Sequence, residues 1–414
     1  MPRNPKIIKY AGVILLAVLI IDAYCYRLNF PVEPYYDEVH YIKPLKRLMY
    51  ERVYEYTLTS HPPLWTLLTW PFVALLGERP AVWRLVSLLA GLLLILWIYF
   101  LARKILQNSL AALFAVFLFA FDCISLTQAR IAMFNSLSLL FMIISFWAFL
   151  HYGSSRGWPR KQALLISGMF LGLGISTKVT SLAILFLIGP LLIHKAIKSP
   201  GERKALLVES IVFLLMVPVA IYVAVHAFIP SLPGCSWETV WEIQKFNFAY
   251  HLQVAATQTH PYSSSWWGWP LLLRPIWYYY TNDGGVVNGI ICIGNPVIFW
   301  MLPVMAVYLL WDWVRHKAKV SGLILLGFFG QWLFYALGSR LKFFHYIYFA
   351  MPFAALGLAR IGKQLWERGR GGRLLVCLYL VLVLGCFLYW YPLLVGIPVS
   401  EQYSQHHMWF RSWI

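Results

Sequence analysis

Apolar residues run along this chain in long stretches with few interruptions. A bilayer core of about 30 Å needs about 20 such residues per helix. Suitable stretches lie near 10–27, 81–102, 108–122, 131–151, 163–178, 179–195, 205–228, 289–312, 320–338, 343–361 and 374–395. The pattern predicts an all-α polytopic membrane protein with about eleven transmembrane helices, the third, fifth and sixth being the shortest.

Two intervening segments, 28–80 and 229–288, are too long to be turns. Loops of that length are functional or disordered, and these are too aromatic for disorder. Within the first, Pro62 and Pro63 suit the opening turn of a helix that runs through Trp65 and Trp70 to Gly77. It is short for a span and carries Pro71, so it reads as a helix lying in the interface. No repeat or low-complexity linker divides the chain. Residues 1–414 therefore read as one membrane domain, with 28–80, 229–288 and the tail 396–414 on one side.

Charge identifies that side. Cations cluster at Arg3, Lys6 and Lys9, at Arg103-Lys104, at Arg156, Arg160 and Lys161, from Lys195 to Lys204, from Arg315 to Lys319 and from Lys363 to Arg373. If the spans alternate, all these clusters share one face, which the positive-inside rule makes cytoplasmic. No small-residue cleavage site follows the first stretch, so it reads as a retained helix. Composition agrees: 60% of residues are hydrophobic and 12% charged, against ~45–50% and ~25% in soluble domains. The net charge of +18 would suggest nucleic acid in a soluble protein. Here the topology absorbs much of it, the remainder is free to meet anionic lipid or phosphate, and no nucleic-acid partner is expected. The six cysteines are scattered and never form CxxC, which implies neither a zinc site nor a disulfide framework.

Acidic residues are scarce, so their positions carry information. The run Glu33-Pro34-Tyr35-Tyr36-Asp37-Glu38-Val39-His40 places adjacent carboxylates just outside the first span. A carboxylate beside an apolar interface has a raised pKa and can act as a general base toward a hydroxyl. Adjacent side chains diverge, so one of the two would meet the reacting group; a solvated acidic pair is the alternative. His61-Pro62-Pro63-Leu64 is a binding element or a helix start. Asp122, Gln128, Arg130 and Asn135 form a polar island at an outer turn. A cation there calls for a partner, and for Arg130 that is Asp122 or a ligand phosphate. Lys178, Arg84, Arg274, Arg340 and Lys342 share this outer location against the charge rule. His406 and His407 are adjacent, not at the i, i+4 spacing of two helical metal ligands. The chain has no GxxxxGK[ST], GxGxxG or Asp-x-Asp, which disfavours a soluble nucleotide donor. Trp266, Trp267, Trp269 and Tyr278 to Tyr280 would cover a sugar or prenyl chain, or form an interfacial belt.

An ordered set of segments resembles the protein O-mannosyltransferases of the GT-C class. It comprises Tyr36-Asp37-Glu38-Val39-His40, His61-Pro62-Pro63-Leu64, Arg84-Leu85, Phe121-Asp122 to Gln128-Ala129-Arg130-Ile131, Gly174 to Lys178, and Trp269 to Tyr279. Gly294-Asn295-Pro296, Phe344-His345-Tyr346, Pro392 to Pro398 and His407 to Phe410 complete it. The resemblance implies a GT-C fold and inverting transfer of a hexose, typically mannose, from a polyprenyl phosphate to Ser or Thr hydroxyls of exported proteins. It implies Asp37 as base, Glu38 shaping the acceptor site and Arg130 on the donor phosphate. Lys178, Arg274 and Arg340 are further phosphate candidates, and His61, Gln128, Asp122 and His345 would shape the site. The acid that often follows the arginine is Asn135 here, and the 229–288 loop has no room for the repeats that eukaryotic members carry. The expected setting is a compact bacterial inner-membrane enzyme among membrane lipids with its site facing outward. No cofactor is required by this chemistry, with a divalent metal left open. The alternatives are an aminoarabinose-type lipid A transferase, a transporter or flippase, and a scaffold.

Overall fold

The computed structural model describes residues 5–51, 53, 61–152, 159–232, 234–252, 259–337 and 341–413. The first helix, α1 (Pro5–Cys25), leads into an outer layer made of α2 (Glu38–Tyr50) and α3 (Leu64–Leu76). A run of helices follows: α4 (Pro80–Leu106), α5 (Ser109–Ala120), α6 (Cys123–Arg130), α7 (Asn135–Phe149), α8 (Arg160–Thr177), α9 (Leu185–Lys198), α10 (Arg203–Ser210) and α11 (Val217–Ala227). After α12 (Trp237–Leu252), strands β1 (Ile276–Asp283) and β2 (Val286–Cys292) form a hairpin. The short α13 (Pro296–Phe299) then leads to α14 (Leu302–His316), α15 (Lys319–Trp332), α16 (Met351–Glu367) and α17 (Arg370–Trp390). The chain closes with α18 (Pro392–Val395), β3 (Val399–Ser400) and α19 (Glu401–His406).

Seven described helices are long and apolar enough to cross a membrane, or eight if the pair α5 and α6, bent by 64°, counts as one span. The expected count of eleven is therefore not reproduced by length and composition. α1, α3 and α7 contribute shorter apolar helices. The all-α reading also needs an amendment, because residues 276–292 form an antiparallel hairpin joined by β3. The predicted span at 289–312 is thus a strand, a turn and α13 before α14 begins. The hairpin signal is Asp283-Gly284-Gly285-Val286: both glycines have positive φ, 60° and 84°. That is what the two-residue loop of a tight hairpin demands.

Between lipid-embedded helices apolar surface gains little from association, so small residues that allow close backbones decide the contacts. A Cβ on Gly91 of α4 would lie 2.4 Å from the Ala129 side chain, so glycine there is what lets α6 seat against α4. In the outer layer, Leu48 of α2 packs with Ile229 and Leu232, which precede α12, and with Ile243 of α12. Burying each of these from water contributes about 1.5–3 kcal/mol, enough to clamp the two long loops together. Glu401 N–H donates to Gly285 O and Arg27 Nη2 to Gly396 O at 2.8 Å, so the tail joins the same layer.

Candidate active site

The site begins where α1 ends. Tyr36 has φ 50°, a left-handed backbone that costs a non-glycine residue roughly 1–2 kcal/mol. The next residue, Asp37, precedes α2. Its half-buried carboxylate has no hydrogen-bond or ion-pair partner among the described residues. Part of its surface is open, yet protein surrounds it densely enough that desolvation raises its pKa to about 6, with the Lys178 charge opposing the rise. An uncommitted carboxylate of that basicity suits a general base.

Glu38 has a different environment. It is fully buried, and its oxygens accept from Arg84 Nε at 2.8 Å and Nη2 at 2.9 Å. Arg84 also donates to the carbonyls of Leu28, Phe30 and Pro31 at 2.8 to 3.1 Å, so all five of its N–H groups are occupied. This accounts for the outer cation Arg84. Glu38 Oε1 further accepts from Ala132 N at 2.8 Å, two residues beyond Arg130. Ser87 accepts from Met133 N in the same turn. Glu38 is therefore a joint between α2, α4 and the turn after α6.

Arg130 is 4% exposed and, among the described residues, makes one hydrogen bond, from Nη1 to Tyr24 O at 2.6 Å. The structural alternative, a pair with Asp122, does not form. Asp122 Oδ1 accepts from Asn295 N at 2.8 Å instead, and its Oδ2 is unpartnered. Asn295 in turn donates to the Phe121 and Val383 carbonyls, so the Gly294-Asn295-Pro296 segment anchors the α5–α6 bend.

Around Asp37 the fold gathers Tyr36, Gln128, Lys178, Tyr278 and His345. The register of β1 against β2 shifts between Trp277 and Tyr279; such a bulge re-aims a side chain. Tyr278 accordingly points inward, stacks on Tyr36 at 4.2 Å and meets Gln128 Nε2 at 2.5 Å. His345 is buried edge-on to both rings. His61 and Lys178 line a cleft of about 420 Å³ with Tyr335, Lys342 and Tyr346. A wider depression of about 750 Å³ over the outer face of α2, between Glu33 and Glu51, holds none of these residues.

Arg274 is not brought into this group. Its guanidinium donates to Pro261 O at 2.8 and 3.0 Å and to Ser412 O at 3.5 Å, tying the β1 approach to the tail. Arg340 lies outside the described residues. Among the described residues no three His, Cys, Asp or Glu side chains form a metal-holding set. Sequence reasoning counted Arg84 among the outer cations of an anion site, whereas the fold engages it with Glu38 and the loop carbonyls; Tyr36 and Asn295 had no role beyond their matching segments, and the hairpin signal would have exposed the inward turn of Tyr278.

Residues 60–226 match the model of dolichyl-phosphate-mannose-protein mannosyltransferases, and residues 236–413 match that of the C-terminal four TMM region of protein-O-mannosyltransferase. The chain belongs to the protein O-mannosyltransferase family. A polyprenol-phosphate-mannose–protein mannosyltransferase of Mycobacterium tuberculosis is 24% identical, over 92% of this chain and 86% of its own length. Its counterpart in Corynebacterium glutamicum is 23% identical, over 92% and 88%. The fold is similar to the Saccharomyces cerevisiae protein O-mannosyltransferase Pmt1-Pmt2 complex bound to the sugar donor, with TM-score 0.83 at 14% identity, covering 100% of this chain and 93% of that one. ArnT from Cupriavidus metallidurans bound to undecaprenyl phosphate gives TM-score 0.62 at 17% identity, over 92% and 70%. Both family matches fall in the protein-modifying branch of the GT-C enzymes, so the aminoarabinose-type alternative is not favoured.

Proposed function

We propose that this family member transfers mannose, with inversion, from a polyprenyl-phosphate-mannose donor to Ser or Thr hydroxyls of exported proteins, at the outer face of a bacterial inner membrane. The observation that carries the reading is Asp37: an unpartnered carboxylate, raised to about 6, beside the Lys178 cation. The acceptor hydroxyl attacks the anomeric carbon, and Asp37 takes its proton as the new C–O bond forms. The bond from the anomeric carbon to the phosphate oxygen breaks on the opposite face, and the electron pair leaves on the polyprenyl phosphate. Arg130 and Lys178 stabilise that charge, Arg130 through N–H groups that the fold leaves unused. Glu38 is a positioning residue that fixes the base relative to Arg130. The cleft of His61 and Lys178 admits the donor head, and Arg274 serves the loop instead. The cation clusters support a topology with the 28–80 and 229–288 loops and the tail outside the cell.

The test is incubation of the purified chain with undecaprenyl-phosphate-mannose and a Ser/Thr peptide, with the product read by mass. One hexose on the peptide is expected. No hexose on peptide, with transfer to a lipid acceptor, would overturn the reading in favour of the lipid-modifying branch.

A further inference from the structure

Lys178 is held by a line of buried groups. Its Nζ donates to Asn135 Oδ1 at 2.9 Å, Asn135 Nδ2 donates to Gln128 Oε1 at 2.8 Å, and Gln128 Nε2 donates to Tyr278 Oη at 2.5 Å. None of the four residues is more than 4% exposed. An ammonium can only donate, so the direction of the whole line is set from that end. Asn135 must turn its oxygen to Lys178 and its NH₂ to Gln128, and Gln128 must then turn its own NH₂ to Tyr278. The line ends on the ring that stacks against Tyr36, the neighbour of Asp37. The rings of Phe134, Tyr346 and Phe349 surround the ammonium at 4.9 to 5.2 Å. Asp37 lies within its field, and His61 and Lys342 line the same cleft.

A carboxylate at position 135 would accept from Lys178 but would cancel its charge and could not donate to Gln128. An apolar side chain would do neither. Of the three, the neutral amide alone both accepts from the cation and passes a donor onward. Resting on the transferase reading above, we propose that Asn135 is a positioning residue that aims Lys178 at the donor phosphate without cancelling its charge while it locks Gln128 and Tyr278 behind Asp37.

The test measures undecaprenyl phosphate affinity, thermal stability and the pH profile of transfer for wild type, Asn135→Asp and Asn135→Leu. In Asn135→Asp the new carboxylate pairs with Lys178. Phosphate affinity should fall about tenfold or more, the scale of one charge-assisted hydrogen bond, and the rising limb of the pH profile should move upward. Asn135→Leu should lose affinity on a similar scale with its limb unmoved, because Lys178 keeps its charge but loses the Asn135 hydrogen bond that aims it. A packing role alone would lower stability in both variants and leave limb and affinity in place; that result overturns the proposal. Should Asn135→Asp fail to fold, Asn135→Leu decides: reduced affinity in a folded protein supports the relay, and wild-type affinity overturns it. Absence of mannose transfer by the wild type would count against the transferase reading, while the affinities would still test the relay.

Discussion

Two buried arginines stand at the same end of this protein, and their surroundings could hardly differ more. Arg84, 1% exposed, has every N–H group occupied by Glu38 and three loop carbonyls. Arg130, 4% exposed, makes a single hydrogen bond among the described residues, to Tyr24 O. Burying a cation is costly unless partners answer its charge and donors. Arg84 has those partners within the fold and so holds the outer layer to α4. Among the described residues Arg130 has no such set of partners, and on the proposed mechanism the donor phosphate supplies them. Saturation by the fold, more than burial, separates the cation that ties elements together from the one proposed to meet the donor.

That contrast can be broken most severely at Arg84. Arg84→Ala leaves Glu38 buried without its counter-charge, which costs about 3–5 kcal/mol; thermal unfolding should show a large loss of stability. A variant with wild-type melting would show that the pair does not hold the layer. Arg130→Ala should behave in the opposite way, with near-normal melting and donor binding weakened by about 1.5–3 kcal/mol, measured by titration with undecaprenyl phosphate. Arg130→Lys should not restore binding, because lysine lacks the two-pronged geometry. Asp122→Asn should not mimic Arg130→Ala, since Asp122 binds Asn295 and not Arg130.

Smaller effects should follow pH. Asp37 must be ionised to act as base, so kcat/KM should rise about tenfold per pH unit up to about 6 and then level off. The same shift has a sign for stability. A carboxyl raised from 3.8 to about 6 on folding binds its proton more tightly in the folded chain. It therefore costs stability above about pH 6, and the cost fades as pH falls through that value toward 3.8. Asp37→Asn should melt higher than wild type at pH 8 and show no such gain at pH 4. Equal melting differences at both pH values would contradict the shifted carboxyl.

Much of this was legible in the sequence where the signal is local. Hydropathy located the long helices, and Pro62-Pro63 placed α3, expected from Leu64 to Gly77 and observed over Leu64–Leu76. The apolar run through Ile290 and Ile291 hid a strand, because a fully buried strand and a span look alike by hydropathy alone. The glycine pair was the clue that outranked it. Pairings across long separations were not legible: Glu38 meets Arg84 across 46 residues, and Asp122 meets Asn295 across 173. Spacing put Arg130 near Asp122, and only the tertiary fold, through Asn295, separated them. Divergence of the adjacent Asp37 and Glu38 side chains was legible, but the destination of Glu38 was not: expected to shape the acceptor site, it is turned into the core against Arg84.

On the proposed mechanism Asp37 does chemistry and does not hold the donor. The most direct measurement compares Asp37→Asn with wild type in single-turnover transfer of mannose to a Ser/Thr peptide, alongside undecaprenyl phosphate affinity. Turnover should fall by about 10²–10⁴-fold, the scale of lost general-base help, with affinity unchanged. Wild-type turnover, or a loss explained wholly by weaker donor binding, would contradict it.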